Sequence, residues 1–204
     1  MPSTLTIVNS EHRPIPVLPA TLARLPLLSA VLGRALVHDP IFEFVFGGAA
    51  TSEDIGRLTL SLYARPTELG MVWEGGAGSG VAVWVPPGAL GTLWSPQAEG
   101  ALPTGNDAVE SHHHKMWDWL ESCIPGDAWY LEVLGVDPLV QGAGVGTALV
   151  HHGLELARSG GAAAFLETSV AANVSFYQRF GFNVVDERDA PGGGPHVWFL
   201  RVES

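Results

Sequence analysis

The clearest pattern of apolar and polar positions in this chain lies just past its middle. Residues 130–136 form a mostly apolar run, and Asp137 and Pro138 end it because proline cannot continue a strand ladder. A glycine-rich turn follows at residues 141–146, and apolar positions then recur at helical spacing. The pattern therefore predicts a strand, a tight turn and a helix over about residues 143–158.

The rest of the chain predicts further helices and strands in an alternating order. Ser52 and Asn173 are the expected N-caps of two of the helices, and Pro66 is expected to end or kink the first of these two. The expected helices cover residues 22–37, 52–69, 106–123 and 173–180, and the expected strands cover 5–9, 71–74, 81–85, 163–166, 182–186 and 197–202. This order predicts one mixed α/β domain over residues 1–204 with a mostly antiparallel sheet flanked by helices.

Aromatic residues cluster in two places whose role the pattern leaves open. The segment 41–48 contains Phe42, Phe44 and Phe46, which are expected either in the core or as a wall of a binding pocket. Trp84 lies on a predicted strand and is likewise expected in the core or in a pocket lining. Trp94 lies in a long loop rich in glycine and proline (residues 88–105), and is predicted to cover a binding site or to contribute to a homodimer interface.

Composition narrows the partners that the protein can have. The 204-residue chain has a formal net charge of −11 and a single lysine, Lys115. This charge argues against nucleic acid as a partner and favours a cationic or amine-bearing small molecule. No apolar run is long enough to span a membrane, so no membrane association is expected. The single cysteine, Cys123, fits a reducing cytoplasm, and a cytoplasmic location is the expectation.

Histidines do not indicate a metal site. His112, His113 and His114 are consecutive on a predicted helix, where successive side chains point about 100° apart. Metal ligands on a helix favour a spacing of four residues, which no histidine pair here provides. We therefore expect no metal ion.

The glycine-rich turn predicts an anion site. Glycines 142, 144 and 146 allow close approach of the backbone, and the start of the following helix carries free N–H groups and the positive end of the helix dipole. A dinucleotide fingerprint is one alternative, with Glu167 placed for a ribose. It fits imperfectly because Thr147 stands where the third glycine belongs, and because only about one βαβ unit follows.

Three groups of residues resemble the acetyl-CoA-dependent N-acetyltransferases of the GNAT superfamily. Gln141, Gly144 and Gly146 form the pattern Q-x-x-G-x-G, and the words FLETS and FYQRFGF follow at the spacing seen in that superfamily. Over residues 129–200 the resemblance is greatest to the branch that includes puromycin N-acetyltransferase. The resemblance implies the GNAT fold, acetyl-CoA as co-substrate, an acetyl-CoA-binding half at 129–204 and an acceptor-side half at 1–128.

The resemblance also implies which residues contact the coenzyme. They lie in three places: the end of the central strand, the glycine-rich turn, and a helix further along the chain. A backbone N–H at the end of the central strand would act as the oxyanion donor. In this sequence they are Leu134, Gly135, Val136, Gln141, Gly142, Ala143, Gly144, Val145, Gly146, Thr147 and Asn173. Many relatives have Arg or Lys in place of Ala143, so we expect weaker coenzyme binding or compensation from elsewhere. Arg158 and Arg179 are the candidate partners of the coenzyme's nucleotide end.

Catalytic roles follow from the same comparison. Tyr177 matches the tyrosine that serves the superfamily as general acid toward the coenzyme sulfur. Glu132 is an unusual charge in an apolar strand, where burial would raise its pKa, and it is the candidate general base. Asp39 and Glu43 are alternative bases or anchors for a cationic acceptor.

The acceptor pocket is expected to include Asp39, Phe42, Glu43, Phe46 and Trp84. The predicted reaction moves an acetyl group from acetyl-CoA to a primary amine of a small molecule. The alternative is a non-catalytic sensor of acyl-CoA.

Overall fold

A computed structural model describes the backbone of residues 14–92 and 107–204, and the side chains of residues 14–91 and 114–204. Its helices and strands alternate in the order β1, α1–α3, β2, β3, α4, β4, α5, β5, α6, β6 and β7. The helices are α1 (Leu25–Leu36), α2 (Pro40–Val45), α3 (Ser52–Glu68), α4 (Asp107–Cys123), α5 (Val145–Ser159) and α6 (Ala171–Gln178); the strands are β1 (Val17–Pro19), β2 (Val72–Gly75), β3 (Gly80–Val85), β4 (Ala128–Val136), β5 (Ala163–Thr168), β6 (Asn183–Asp189) and β7 (His196–Val202).

The strands form one seven-stranded sheet in the order β1-β2-β3-β4-β5-β7-β6. Neighbouring strands are antiparallel except β4 and β5, which run parallel. The predicted mixed, mostly antiparallel sheet flanked by helices is confirmed. A sheet with one parallel pair also disfavours the dinucleotide alternative, which needs two parallel βαβαβ halves.

Each face of the sheet carries its own hydrophobic core, because successive strand residues point to opposite faces. On one face, helices α1 and α3 and part of α4 cover Val83, Tyr130 and Phe165; we call this the α1–α3 core. On the other face, α5 and α6 cover Trp84 and Leu131; we call this the α5–α6 core. The two cores make the sheet a wall between two layers of helices.

The central strand contains a β-bulge at Glu132. Val83 lies opposite Val133 and Trp84 lies opposite Leu131, so that Glu132 is the extra residue in β4. A bulge bends its strand and increases the local twist.

The sheet opens just beyond the bulge. The parallel pairing of β4 with β5 ends at Leu131 and Leu166, although β4 stays paired with β3 as far as Val136. On the other side of the opening, β5 stays paired with β7 as far as Thr168. The two halves of the sheet therefore separate after Leu131, which gives access to backbone groups of β4 that a continuous sheet would use in hydrogen bonds.

Several predicted boundaries are corrected by local hydrogen bonding. Thr51, and not Ser52, caps α3, because its side chain and that of Asp54 form a reciprocal capping box. Asn173 caps no helix: α6 begins at Ala171 without a side-chain cap, and Asn173 is its third residue.

Two elements were not expected. Asp39 begins the additional helix α2 by accepting a hydrogen bond from the N–H of Ile41, and Pro40 at the first helical position supports the helix start. The proline-rich stretch before α1 contains the short edge strand β1, which pairs with β2.

Pro66 was expected to end or kink α3. It lies inside the helix and does not end it, because α3 continues to Glu68.

The predicted strand 5–9, most of the loop 88–105 with Trp94, and the side chains of His112 and His113 lie outside the described residues. No helix of the described part of the chain is long and apolar enough to cross a membrane.

Candidate active site

The glycine-rich turn between β4 and α5 has the backbone geometry of an anion site. Gly142 and Gly144 have positive φ angles of 83° and 89°, a conformation that glycine adopts without steric cost. Gly144 is the N-cap of α5 and makes no side-chain cap. The first N–H groups of the helix, from Val145 onward, therefore have no intrahelical acceptor and can bind a phosphate group.

Two side chains hold this turn in place. Gln141 donates a hydrogen bond from Nε2 to the carbonyl oxygen of Val136, at 3.2 Å, and so ties the turn back to the end of β4. Val145 packs beneath the turn against Gly80 of β3, where any larger residue would clash with it. The glutamine of the Q-x-x-G-x-G pattern thus has a structural contact within the turn.

A cleft of about 500 Å³ runs from this turn into the opening between β4 and β5. Four segments line it: the end of α1 with the residues that follow, the end of β4, the glycine-rich turn and helix α6. The lining residues are Ala35, Leu36, His38, Asp39, Leu134, Gly135, Val136, Gln141, Gly142, Gly144, Val145, Gly146, Thr147, Val170, Asn173, Phe176, Tyr177 and Arg179. The cleft therefore contains every predicted coenzyme contact except Ala143.

Tyr177 is the buried residue of α6 and lines the cleft. Burial raises the pKa of its hydroxyl above the ordinary tyrosine value, and the nearby carboxyls of Glu167 and Asp39 raise it further. The hydroxyl is therefore protonated at neutral pH. Phe176 of the same helix and Phe180 just after it are half-buried and pack edge-to-face with ring centroids 5.1 Å apart.

Asn173 reaches back toward β5 and not toward its own helix terminus. Its Nδ2 donates to Oγ1 of Thr168 at 3.2 Å, and the same oxygen accepts the backbone N–H of Val170. This contact fixes the start of α6 against the end of β5, at the side of the cleft.

Of the residues predicted for acceptor binding, only Asp39 lines the cleft. Phe42 and Phe46 are buried in the α1–α3 core, and Glu43 is exposed, with its carboxylate 3.8 Å from Nδ1 of His38. Trp84 does not reach the cleft. It is completely buried in the α5–α6 core beneath Gly153, where its Nε1 donates to the carbonyl oxygen of Leu149.

Asp39 connects the two sides of the cleft. Its Oδ1 accepts hydrogen bonds from the N–H of Ile41, at 2.9 Å, and from Oγ of Ser169, at 3.2 Å. Burial raises the pKa of the Asp39 carboxyl, and these two hydrogen bonds oppose the increase.

Glu132 lies at the bulge, two residues before the cleft-lining Leu134. Tyr63 of α3 donates a hydrogen bond from its hydroxyl to Oε1 of Glu132 at 2.9 Å. Oε2 is shielded from solvent and has no partner among the described residues. Burial raises the pKa of Glu132 to about 7, which the hydrogen bond from Tyr63 partly opposes. A carboxyl with this pKa can exchange protons near neutral pH, as a general base must.

Glu167 of β5 was expected only as a ribose ligand, in the dinucleotide alternative. In the structure its environment is like that of Glu132. Tyr130 donates from its hydroxyl to Oε1 of Glu167 at 2.8 Å, and burial raises the pKa of Glu167 to about 8. The sequence signal that singled out Glu132, a carboxylate in an apolar strand, applies to Glu167 as well.

The described side chains contain no group of three or more metal-binding residues that could hold an ion.

Residues 108–182 match the family model described as the Acetyltransferase (GNAT) family. This segment includes β4, the glycine-rich turn, α5, β5 and Tyr177. This segment of the chain is therefore similar to a GNAT acetyltransferase domain. The predicted enzyme class, an acyltransferase, is confirmed with it.

Solved structures share the fold over nearly the whole chain. One is described as histone acetyltransferase HPA2 and related acetyltransferase from Corynebacterium glutamicum, with 23% identity, a TM-score of 0.64, and coverage of 93% of this chain and 96% of that one. A mosquito arylalkylamine N-acetyltransferase like 5b has 16% identity and a TM-score of 0.63, covering 93% and 100%. A Drosophila melanogaster polyamine N-acetyltransferase has 13% identity and a TM-score of 0.58, covering 93% and 100%.

Proposed function

We propose that this GNAT domain transfers the acetyl group of acetyl-CoA to a primary amine of a small molecule by direct attack. The observation that carries this proposal is the cleft itself, which joins an anion-binding helix terminus, the free edge of β4 and the Tyr177 hydroxyl. The structural relatives named for arylalkylamine and polyamine acceptors support an amine as the acceptor class.

The glycine-rich turn fits the pyrophosphate of the coenzyme. Gly144 presents the N-terminus of α5 without a side chain in front of it, and Val145, Gly146 and Thr147 line the cleft with their N–H groups at the positive end of the helix. Bound there, acetyl-CoA would supply an activated thioester. Arg179 lines the same cleft and would provide the cation that Ala143 does not.

The acceptor must lose a proton before it can attack. The pKa of a typical alkylamine lies roughly three units above neutral pH, so removing its proton at neutral pH costs about 4 kcal/mol. We assign Glu132 as the base, because it lies on β4 where the pairing with β5 ends, two residues from the cleft-lining Leu134, and its raised pKa allows it to accept a proton near pH 7. Asp39 is the second candidate, because it lines the cleft directly. As an alternative role, Asp39 could hold a cationic group of the acceptor.

Acetyl transfer then requires stabilisation of negative charge at two atoms. The amine nitrogen bonds to the carbonyl carbon, and a backbone N–H in the stretch Leu134–Val136, where β4 is no longer paired with β5, would donate to the oxyanion. The C–S bond breaks as the amide forms, and Tyr177 donates its hydroxyl proton to the leaving thiolate. The second proton that the nitrogen loses, on forming the amide, restores the Tyr177 hydroxyl, and the proton taken up earlier by the base returns to solvent.

The test is acetyl-CoA-dependent release of free thiol in the presence of a panel of primary amines, including monoamines, diamines, amino acids and aminoglycosides. We expect turnover with at least one amine and an increase in melting temperature on adding acetyl-CoA, since ligand binding to the native state stabilises it. Stabilisation by acetyl-CoA without turnover would favour the acyl-CoA sensor instead. Failure of acetyl-CoA to bind would contradict the proposal.

A further inference from the structure

Glu167 lies beside Glu132 on the same face of the sheet. Leu131 and Leu166 are the last paired residues of the parallel strands β4 and β5, so Glu132 and Glu167 are the next residue on each strand. Both leucines belong to the α5–α6 core, and side chains alternate between faces along a strand. The two carboxyls therefore share the opposite face, at the point where the sheet opens.

The two carboxyls have matching surroundings. The Tyr63 hydroxyl donates to Oε1 of Glu132 at 2.9 Å, and the Tyr130 hydroxyl donates to Oε1 of Glu167 at 2.8 Å. Oε2 of each glutamate is shielded from solvent and has no hydrogen-bond partner within the described part of the chain. Each carboxyl thus has one neutral donor, and no arginine or lysine with described side-chain atoms forms an ion pair with either.

Two carboxylates at neighbouring positions of adjacent strands, in a poorly solvated site, repel one another. The second carboxyl therefore ionises with more difficulty than the first. The pKa values agree with this order: burial raises that of Glu132 to about 7 and that of Glu167 to about 8, and the charge on Glu132 adds to the increase at Glu167. Asp39 raises the pKa of Glu167 further. Tyr63 and Tyr130 have raised pKa values and therefore remain hydrogen-bond donors at neutral pH, and the pKa of Tyr177 is raised as well.

We propose that Glu132 and Glu167 act as one coupled carboxyl pair that carries a single negative charge, with Glu167 keeping its proton while Glu132 receives the proton of the acceptor amine. The proposal deepens the proposed function and rests on the role of Glu132 as base. Glu167 is a positioning residue in this pair, because it acts through Glu132 and does not touch the acceptor. Its neutral form keeps a second charge out of the site.

The singly charged pair explains why a base can stay ionised at a buried position. If both glutamates were ionised, Glu132 would hold an accepted proton more tightly and release it less readily. Activity should therefore require Glu132 ionised and Glu167 protonated, which gives a bell-shaped pH profile whose two limits belong to the pair.

The direct test is carboxyl titration of the full chain by NMR with ¹³C-labelled glutamate, between about pH 5 and pH 10. In the wild type we expect two coupled steps for Glu132 and Glu167. Glu132→Gln should move the Glu167 step to lower pH, because the neighbouring charge is gone. Glu167→Gln should leave the Glu132 step in place, because glutamine imitates the protonated partner. An unchanged Glu167 step in Glu132→Gln would overturn the pairing.

The tyrosines provide matched control variants. Tyr63→Phe should raise the pH of the Glu132 step more than that of the Glu167 step, and Tyr130→Phe should do the reverse, because each removes one hydrogen bond to one carboxylate. Either tyrosine variant also tests the pair if a glutamine variant does not fold. Equal shifts of both steps in both tyrosine variants would contradict the assignment.

The pH dependence of the enzymatic activity provides a second test of the coupled pair. The alkaline limb of the pH profile of kcat/KM should be lost in Glu167→Gln, while the acid limb stays. A uniform decrease at all pH values would show a merely structural role for Glu167 and overturn the proposal. If no amine is acetylated, the proposed function fails, but the NMR titration still decides whether the pair is coupled.

Discussion

Ser169 donates a hydrogen bond to Asp39 across 3.2 Å, and this contact joins the connection between β5 and α6 to the start of α2. Asp39 lines the cleft from the side of the α1–α3 core, and Val170, the residue after Ser169, lines it from the side of α6. The hydrogen bond therefore fixes the Asp39 carboxyl relative to the helix that carries Tyr177. It also makes Asp39 the main competitor of Glu132 for the role of base.

Two isosteric variants should separate these carboxyls. If Glu132 is the base, Glu132→Gln should lower kcat/KM by about 100-fold or more at neutral pH and abolish the acid limb near pH 7. Asp39→Asn should keep that limb, because asparagine still caps α2 and Glu132 is intact. The measurement is thiol release against pH with the best amine of the panel. Loss of the limb in Asp39→Asn alone would transfer the role to Asp39.

Tyr177→Phe should lower kcat by about 100-fold or more without a comparable loss of acetyl-CoA affinity. The raised pKa of Tyr177 keeps its hydroxyl protonated throughout the neutral range, so it is available to the leaving thiolate in every turnover. Phenylalanine keeps the ring packing in the α5–α6 core and removes only the hydroxyl group. Steady-state kinetics and calorimetric titration with acetyl-CoA measure the two effects separately. Turnover at the wild-type rate would exclude Tyr177 as the acid.

The glycine-rich turn and the start of α5 could be predicted from sequence because their signals are local. Proline and glycine spacing placed the turn within two residues of its observed helix start, and the turn residues were predicted with it. Helix α2 was missed because it is a short helix of six residues that depends on the Asp39 cap, and β1 was missed because prolines surround it.

The surroundings of Trp84, Glu132 and Glu167 could not be predicted because they depend on contacts between distant segments. A residue inserted at the bulge decides which side chains of β4 face each core, and no short pattern reveals that register. Trp84 was expected either in the core or in a pocket lining, and Gly153 of α5 leaves room for it in the core. The Glu167 environment depends on Tyr130 and on parallel pairing across 37 residues of chain.

Buried glutamates also predict how stability depends on pH. Glu132 and Glu167 bind protons more tightly in the folded state, at about 7 and about 8, than at the ordinary value of 4.5. The stability that they contribute is therefore complete below about pH 4.5 and is lost as pH rises through 7 and 8. The double variant Glu132→Gln with Glu167→Gln should flatten this decrease, on the order of 1–3 kcal/mol of unfolding free energy.

Urea denaturation at several pH values measures this effect. Glu121→Gln is the matched control, because Glu121 is exposed on α4. The control should follow the wild type. A double variant with the same pH slope as the wild type would contradict the raised pKa values of the two glutamates.

Gly144→Ala should weaken acetyl-CoA binding. Its φ angle of 89° is costly for any residue with a Cβ, by about 1–2 kcal/mol, and relief of that strain would reorient the N–H groups at the start of α5. Gly161→Ala is the matched control, since Gly161 has a φ angle of 62°, open space around it and no contact with the cleft. Both variants should lose similar stability in thermal unfolding. Only Gly144→Ala should raise the Kd for acetyl-CoA, and equal affinities in the two variants would argue against this turn as the coenzyme site.

Arg179 and Arg158 were equal candidates for the coenzyme cation, and the structure separates them by position. Arg179 lines the cleft beside Phe176, with its guanidinium 4.9 Å from the ring centroid, whereas Arg158 borders a small depression at the end of α5. Arg179→Ala should therefore raise the Kd for acetyl-CoA several-fold, more at low salt than at high salt, because exposed charges are screened by ions. Arg158→Ala removes the same charge from the chain and should leave the Kd unchanged. A similar loss of affinity in both variants would show that overall charge, and not a contact in the cleft, governs coenzyme binding.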